Sequence, residues 1–167
     1  METEKILNRP KWNDEMTKEL SVIIGKKVNE WCKNETDLED CIETCEIIFK
    51  WSRHDNGYEL AKRFEDEGFS PDVELVEILD DYVSHSVNKI KENHIRSWVK
   101  DNNLKLKYEV GQFVSAKTFF RGEINGEIMK VYPDTLQYGI WYESMGYSKG
   151  NGHTIIDEEN IINLISK

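Results

Sequence analysis

The hydrophobic period changes near residues 101–103, and that change commits the chain to two kinds of structure in series. Before Asp101-Asn102-Asn103, apolar residues recur every three or four positions, as on a helix buried along one face. Trp12, Met16, Leu20, Ile23, Ile24, Val28 and Trp31 trace a first stripe. Asn13 is its predicted N-cap, with Asp14 and Glu15 where the helix dipole favours negative charge. Thr36-Asp37-Leu38-Glu39 reads as a capping box opening a second helix. The second stripe then runs through Leu38, Ile42, Cys45, Ile48 and Phe49 to the turn residues His54-Asp55-Asn56-Gly57. A short third helix carries Leu60, Ala61 and Phe64 and stops at Gly68, a left-handed C′ residue. Ser70-Pro71-Asp72 supplies an N-cap, an N1 proline and an acidic first turn for a fourth helix. It holds phase from Val73 through Trp98 to about Lys100, with a candidate break at Asp80-Asp81.

Beyond residue 103 the apolar positions alternate and glycine becomes frequent. Leu104, Leu106 and Tyr108 alternate with lysines, and the runs 112–119, 126–132 and 136–143 are rich in β-branched and aromatic residues, as strands are. Turns are expected at Arg121-Gly122, Asn125-Gly126, Tyr132-Pro133-Asp134 and the glycine-rich stretch 146–152. Two more short strands, 153–156 and 161–165, flank Asp157-Glu158-Glu159-Asn160, which reads as one 3₁₀ turn. Five short strands in so few residues predict a small closed or half-closed barrel. The expected fold class is therefore α+β: an acidic helical domain of about four helices over residues 1–103, then a five-stranded β-barrel domain over 104–167. No apolar run approaches the roughly 20 residues of a membrane span, and the acidic opening Met1-Glu2-Thr3-Glu4-Lys5 is unlike a signal peptide. A cytoplasmic protein with no membrane partner is the expectation.

Val110-Gly111-Gln112-Phe113-Val114, the glycine-led strands at Gly122-Glu123-Ile124 and Gly126-Glu127-Ile128, Tyr138-Gly139-Ile140-Trp141-Tyr142 and Glu158-Glu159-Asn160-Ile161 follow one another in the order of SH3-like barrels. The segment from about residue 108 to 167 resembles the Tudor and KOW members of that group, a resemblance that implies a fold and no particular ligand. The amino-terminal region resembles no family. In its small size and its many Lys, Asn, Ile and Glu residues, the whole chain resembles small acidic proteins of phages and prophages.

Motifs for catalysis are missing: there is no nucleophile elbow, P-loop, dinucleotide fingerprint or zinc-protease helix. The stretch from Gly146 through Tyr147 and Gly150 to Gly152 is followed by strand-like residues rather than a helix, so it reads as a loop and not a phosphate cradle. Cys32, Cys41 and Cys45 are an odd count without a C-x2-C knuckle, which favours small buried thiols over zinc or disulfides. His85 and His94 fall on opposite helix faces. His54 and Asp55 are the residues to test if the chain is an enzyme, although a helix end uses the same types for capping. No enzyme activity, cofactor or metal is expected. Phe119, Phe120, Tyr132, Tyr138, Trp141, Tyr142 and Tyr147 are dense enough to fill a small barrel and leave two or three rings outside, where Glu143 or Asp134 could complete an aromatic cage.

Charge is the most informative feature. The net charge is −10, yet residues 35–81 alone hold sixteen acidic and four basic groups. Glu35, Glu39, Glu43 and Glu46 follow one stripe of the second helix with Asp40 beside it, and Glu65, Asp66, Glu67, Glu74, Glu77, Asp80 and Asp81 come next. Like charges at i and i+4 destabilise a helix by a few tenths of a kcal/mol per pair, so such a block is either a solubilising surface or a used one. Helical i, i+4 carboxylates rise about 6 Å per step, close to the phosphate spacing along one nucleic-acid strand. The expected function is thus a non-enzymatic inhibitor that binds a basic nucleic-acid-handling protein. An anti-defence protein of a phage or mobile element, acting on a CRISPR nuclease or a similar enzyme, fits that description. Direct nucleic-acid binding is not favoured by the net charge. The alternative is a nucleic-acid or modified-peptide module using the barrel and the basic stripe Lys89, Lys91, Arg96, Lys100, Lys105 and Lys107.

Overall fold

A computed structural model describes residues 8–143, 146, 148–149 and 151–165. Of the positions singled out above, Met1 to Lys5, Tyr147 and Gly150 lie outside them. Four helices precede a five-stranded antiparallel sheet, an α+β layout. Two compact units divide the chain, residues 1–94 and 95–167, so the division falls inside the fourth helix.

In the first unit, α1 spans Asp14–Trp31, α2 Leu38–Ser52, α3 Gly57–Asp66 and α4 Val73–Asp101. Asn13 caps α1 as expected, its side chain accepting the Met16 N–H at 3.0 Å. The cap of α2 is Asp37, one residue beyond the expected Thr36, because the Thr36 carbonyl is held by the Asn29 side chain at 2.7 Å. The cap of α4 is Asp72 rather than Ser70, accepting the Leu75 N–H at 3.0 Å. Asn56 caps α3, and Gly68 follows that helix with φ +92°, as a left-handed C′ residue should. The candidate break at Asp80-Asp81 does not occur. Asp80 instead accepts the N–H of Gly57, the first residue of α3, and a side chain at Gly57 would collide with the Val76 carbonyl and Asp80.

One core joins the helices: Met16, Leu20, Ile24 and Val28 of α1, Cys41, Cys45, Ile48 and Phe49 of α2, Leu60 and Phe64 of α3, and Leu75, Leu79, Val83 and Val87 of α4. The expected stripe positions Ile23 and Leu38 are exposed instead, since each lies at the edge of its helix's buried arc. Small residues are buried on both α1 and α2, Ser21 and Gly25 on one helix and Cys41 and Cys45 on the other, and at Gly25 the two helices approach closely. A Cβ on Gly25 would stand 2.9 Å from the Ile42 Cα and 2.7 Å from its Cγ1. Gly25→Ala should therefore lower stability by about 1–3 kcal/mol in urea unfolding, although alanine is the better helix former. A more stable variant would show that the two helices can move apart freely.

In the second unit the last turns of α4 give Ile95 and Val99 to a small cluster with Leu136. The sheet comprises β1 Phe113–Thr118, β2 Gly122–Tyr132, β3 Gln137–Trp141, β4 Thr154–Asp157 and β5 Ile161–Leu164, in the order β4-β3-β2-β1-β5. Irregular register at Ser115/Ala116 and Ile128/Lys130 bends the strands. Among the described residues β4 and β5 remain edges, so the sheet is open. The expected 3₁₀ turn is present at Glu158–Asn160. Asn125-Gly126, an expected turn, lies inside β2 opposite Ser115 and Val114, and a side chain at Gly126 would meet the Trp141 carbonyl of β3. The glycine there serves close packing, not chain reversal. Reversal occurs at Phe119–Arg121, where Gly122 takes φ +69°.

Leu104–Tyr108, an expected strand, is not one, because its backbone donors are used elsewhere. The fully buried Tyr138 accepts the Lys107 and Tyr108 N–H groups on its Oη at 3.0 and 3.1 Å and donates to Glu158 Oε2 at 3.1 Å. Burial, opposed by the Tyr108 N–H and assisted by Glu158, pushes the phenol up to about 12. A raised phenol pKa stabilises the fold below the ordinary value of 10.0, and that contribution disappears as pH rises from there toward 12. Tyr138→Phe should cost about 1–3 kcal/mol in denaturant unfolding at neutral pH by removing the acceptor of the half-buried Tyr108 N–H and leaving the Lys107 N–H to Glu158 alone, and should flatten the alkaline loss of stability above pH 10.

Candidate functional site

The acidic block of the sequence becomes two adjoining features of the helical unit. The first is the outer face of α2, where Glu39, Asp40 and Glu43 are exposed and Glu46 is half-buried. The second is a cleft of about 650 Å³ between the end of α1, the start of α2 and the α3–α4 connection. Glu35, Asp40, Glu67, Asp72 and Glu74 line it, and Lys33 is its one basic lining residue. Asp40 belongs to both features. The left-handed turn at Lys33 (φ 54°) and Asn34 (φ 60°) ends α1 and puts Glu35 at the cleft mouth. Glu65 and Asp66 on α3, and Glu77 and Asp81 on α4, are exposed as well.

Ion pairing divides the carboxylates of the unit. Elsewhere in the unit Glu30 meets Lys27 at 2.8 Å, Asp55 meets Arg63 at 3.0 Å, Glu59 meets Lys62 at 3.5 Å and Glu19 meets His94 at 2.7 Å. Among the described residues, Glu35, Glu39, Asp40, Glu43, Glu46, Glu65, Asp66, Glu67, Glu74, Glu77 and Asp81 form no ion pair. Asp80 is the member of the set with a structural duty, as the acceptor for Gly57.

Asp72, which the sequence placed in a first turn, has a larger role as a tie across the cleft wall. One of its oxygens accepts both the Leu75 N–H and the Trp31 Nε1–H, each at 3.0 Å, tying the end of α1 to the start of α4. The Leu75 N–H above all, then the Trp31 indole, holds this carboxyl below its ordinary 3.8. The signal for it in sequence was Asp three residues before an apolar helix position; the Trp31 partner, 41 residues away, carried none.

The other candidates are placed differently. His54 is exposed, and Asp55 is engaged by the Arg63 guanidinium through Nε and Nη2, so the pair closes the α2–α3 turn. Cys41 and Cys45 are buried, as expected of small apolar thiols, and burial, then the neighbouring Cys32, pushes Cys41 up to about 11. Among the described residues no group of three His, Cys, Asp or Glu side chains is arranged to hold a metal ion. In the basic stripe, Lys89 and Lys91 belong to the first unit and are exposed. In the second unit Arg96 pairs with Asp134 at 3.0 Å and Lys107 with Glu158 at 3.7 Å, leaving Lys100 and Lys105 exposed beside them. Asp134, a candidate cage companion, is thereby engaged by Arg96.

Of the aromatics, Tyr138 and Tyr142 build the sheet's core and Trp141 and Tyr132 are half-buried. Phe119 and Phe120 stand at the β1–β2 tip, 94% and 92% exposed and stacked edge to face. Tyr132 Oη meets His153 Nε2 at 2.9 Å. In the glycine-rich stretch, Lys149 pairs with the nearly buried Glu127 at 2.6 Å, which pins the loop to β2. No helix among the described residues is long and apolar enough to cross a membrane. Comparison with family models, with curated proteins and with solved structures returns no match for this chain.

A depressed carboxyl pKa stabilises the fold above the unfolded value and ceases to do so as pH falls through the folded one. Asp72→Ala should therefore lower the melting temperature at pH 7 and make stability less sensitive to acid below pH 3.8. Parallel acid limbs in the two proteins, followed by thermal melting, would remove Asp72 from that role.

Proposed function

We propose that this protein binds a cationic surface of a nucleic-acid-handling protein through its acidic helical unit and acts as an inhibitor by occupying that surface, without catalysis. The observation that carries the reading is the set of exposed carboxylates left without cations while neighbouring acids are paired. Solvated carboxylates cost little to keep, but a row on one helix repels itself, and a cationic partner relieves that repulsion. Glu39 and Glu43 lie one turn apart, about 6 Å along α2, so a lysine or arginine groove shaped for phosphates meets a matching series. Association would be fast and would weaken with salt. A phage or mobile-element product directed at a defence nuclease is the biological setting in which a small acidic mimic of this kind makes sense, and the SH3-like character of the second unit would add a further contact surface.

A second reading, a nucleic-acid or modified-peptide module in the second unit, is favoured by one observation, the exposed Phe119–Phe120 pair flanked by Lys117 and Arg121. Against it, Arg96 and Lys107 are engaged by carboxylates.

The two separate experimentally. On the first reading, affinity capture from a lysate of a host cell retains a basic nucleic-acid enzyme. Glu39→Lys with Glu43→Lys abolishes that capture, and labelled oligonucleotides are not shifted at physiological salt. An oligonucleotide shift that Phe119→Ala with Phe120→Ala removes would transfer the function to the second unit.

A further inference from the structure

A second concavity of the helical unit adjoins the acidic cleft. Its volume is about 440 Å³, and its apolar walls are Tyr58 and Ala61 of α3 with Val73 and Val76 of α4. Single exposed apolar residues are ordinary on a protein surface. Here Tyr58, 59% exposed, and Val73, 73% exposed, come from different helices and face the same groove. A cation at the groove, Lys62, is already occupied by Glu59 at 3.5 Å and by the Tyr58 ring at 4.4 Å.

Groove and cleft share one wall, the opening of α4. Asp72 lines both, Val73 lines the groove and Glu74 lines the cleft, so consecutive residues divide an apolar hollow from an acidic one. Charge decides what can lie across such a ridge. A second copy of the chain would bring one acidic block against another, and an anionic ligand would meet the same repulsion. We propose that groove and cleft form one docking surface for a cationic segment of a partner protein that carries an apolar side chain. The apolar group enters between Tyr58 and Val73, and lysine or arginine side chains cross the Asp72–Glu74 ridge into the cleft. The proposal rests on the cation-binding reading and adds to it the anchor that gives specificity, since carboxylates by themselves attract any basic surface while a filled apolar pocket selects among them.

The test uses the full chain and two synthetic peptides with the same number of lysines, one with a central leucine pair and one with serines in its place. Binding is followed by fluorescence polarisation of the labelled peptides at low and at physiological salt. The leucine peptide should bind about tenfold more tightly, the scale of burying one leucine side chain. Val73→Ser and Tyr58→Ala, both at exposed positions that the core does not need, should erase that preference and leave the salt-sensitive remainder, and Val73→Ile should retain it. Equal affinity for the two peptides, with salt-sensitive binding intact, overturns the groove and leaves cation capture standing. A preference that survives both substitutions also overturns it and moves the apolar contact elsewhere, to Ile47 and Trp51 on α2 for example. Failure of both peptides to bind at low salt overturns the cation-binding reading and this proposal with it.

Discussion

The close approach of α1 and α2 at Gly25 governs the helical unit. With no side chain at that position the Ile42 backbone lies almost against α1, and the small residues Ser21, Cys41 and Cys45 are buried in the same two helices. Met16, Leu20, Ile24 and Val28 of α1 then share one core with Ile48 and Phe49 of α2 and with Phe64 and Leu79. The other side of α2 faces solvent and carries Glu39, Asp40 and Glu43.

Electrostatics in that unit is uneven for a structural reason. Polar side chains near helix ends have been recruited: Asp37, Asn56 and Asp72 satisfy first-turn amides and Asp80 satisfies one on a neighbouring helix. Among the described residues those on α2 and around the α1–α2 turn, Glu35, Glu39, Asp40, Glu43 and Glu46, form no ion pair, so their charge remains available to a partner. A cationic segment would neutralise repulsion without dismantling any bond that holds the fold.

The second unit obeys a different constraint. Residues 104–108 do not form a strand, and Tyr138 supplies the acceptor for the Lys107 and Tyr108 amides that a ladder would have supplied. Glu158 completes the arrangement from the 3₁₀ turn before β5. One buried hydroxyl therefore connects the entry to the sheet, its third strand and its last turn, which is why an open five-stranded sheet with few buried residues can hold its order.

Local physics made much of this legible. Period alone separated four helices from a sheet, the Asn13 and Gly68 caps depend on groups a few residues away, and alternation in Tyr138, Ile140 and Tyr142 put them on one face. The density of carboxylates between residues 35 and 81 is likewise a property of sequence. Where the reading failed, a distant partner intervened. Asn29 moved the α2 cap to Asp37, the Trp141 carbonyl turned an apparent Asn-Gly turn into mid-strand, and Tyr138 took the amides of an expected strand. Which acids stay free, which form caps, and the meeting of Tyr58 with Val73 beside the acidic cleft were decided only by tertiary structure. The physical reason is range: propensity and period act over one or two helical turns, whereas these contacts join residues that the chain brings together only after the helices have packed.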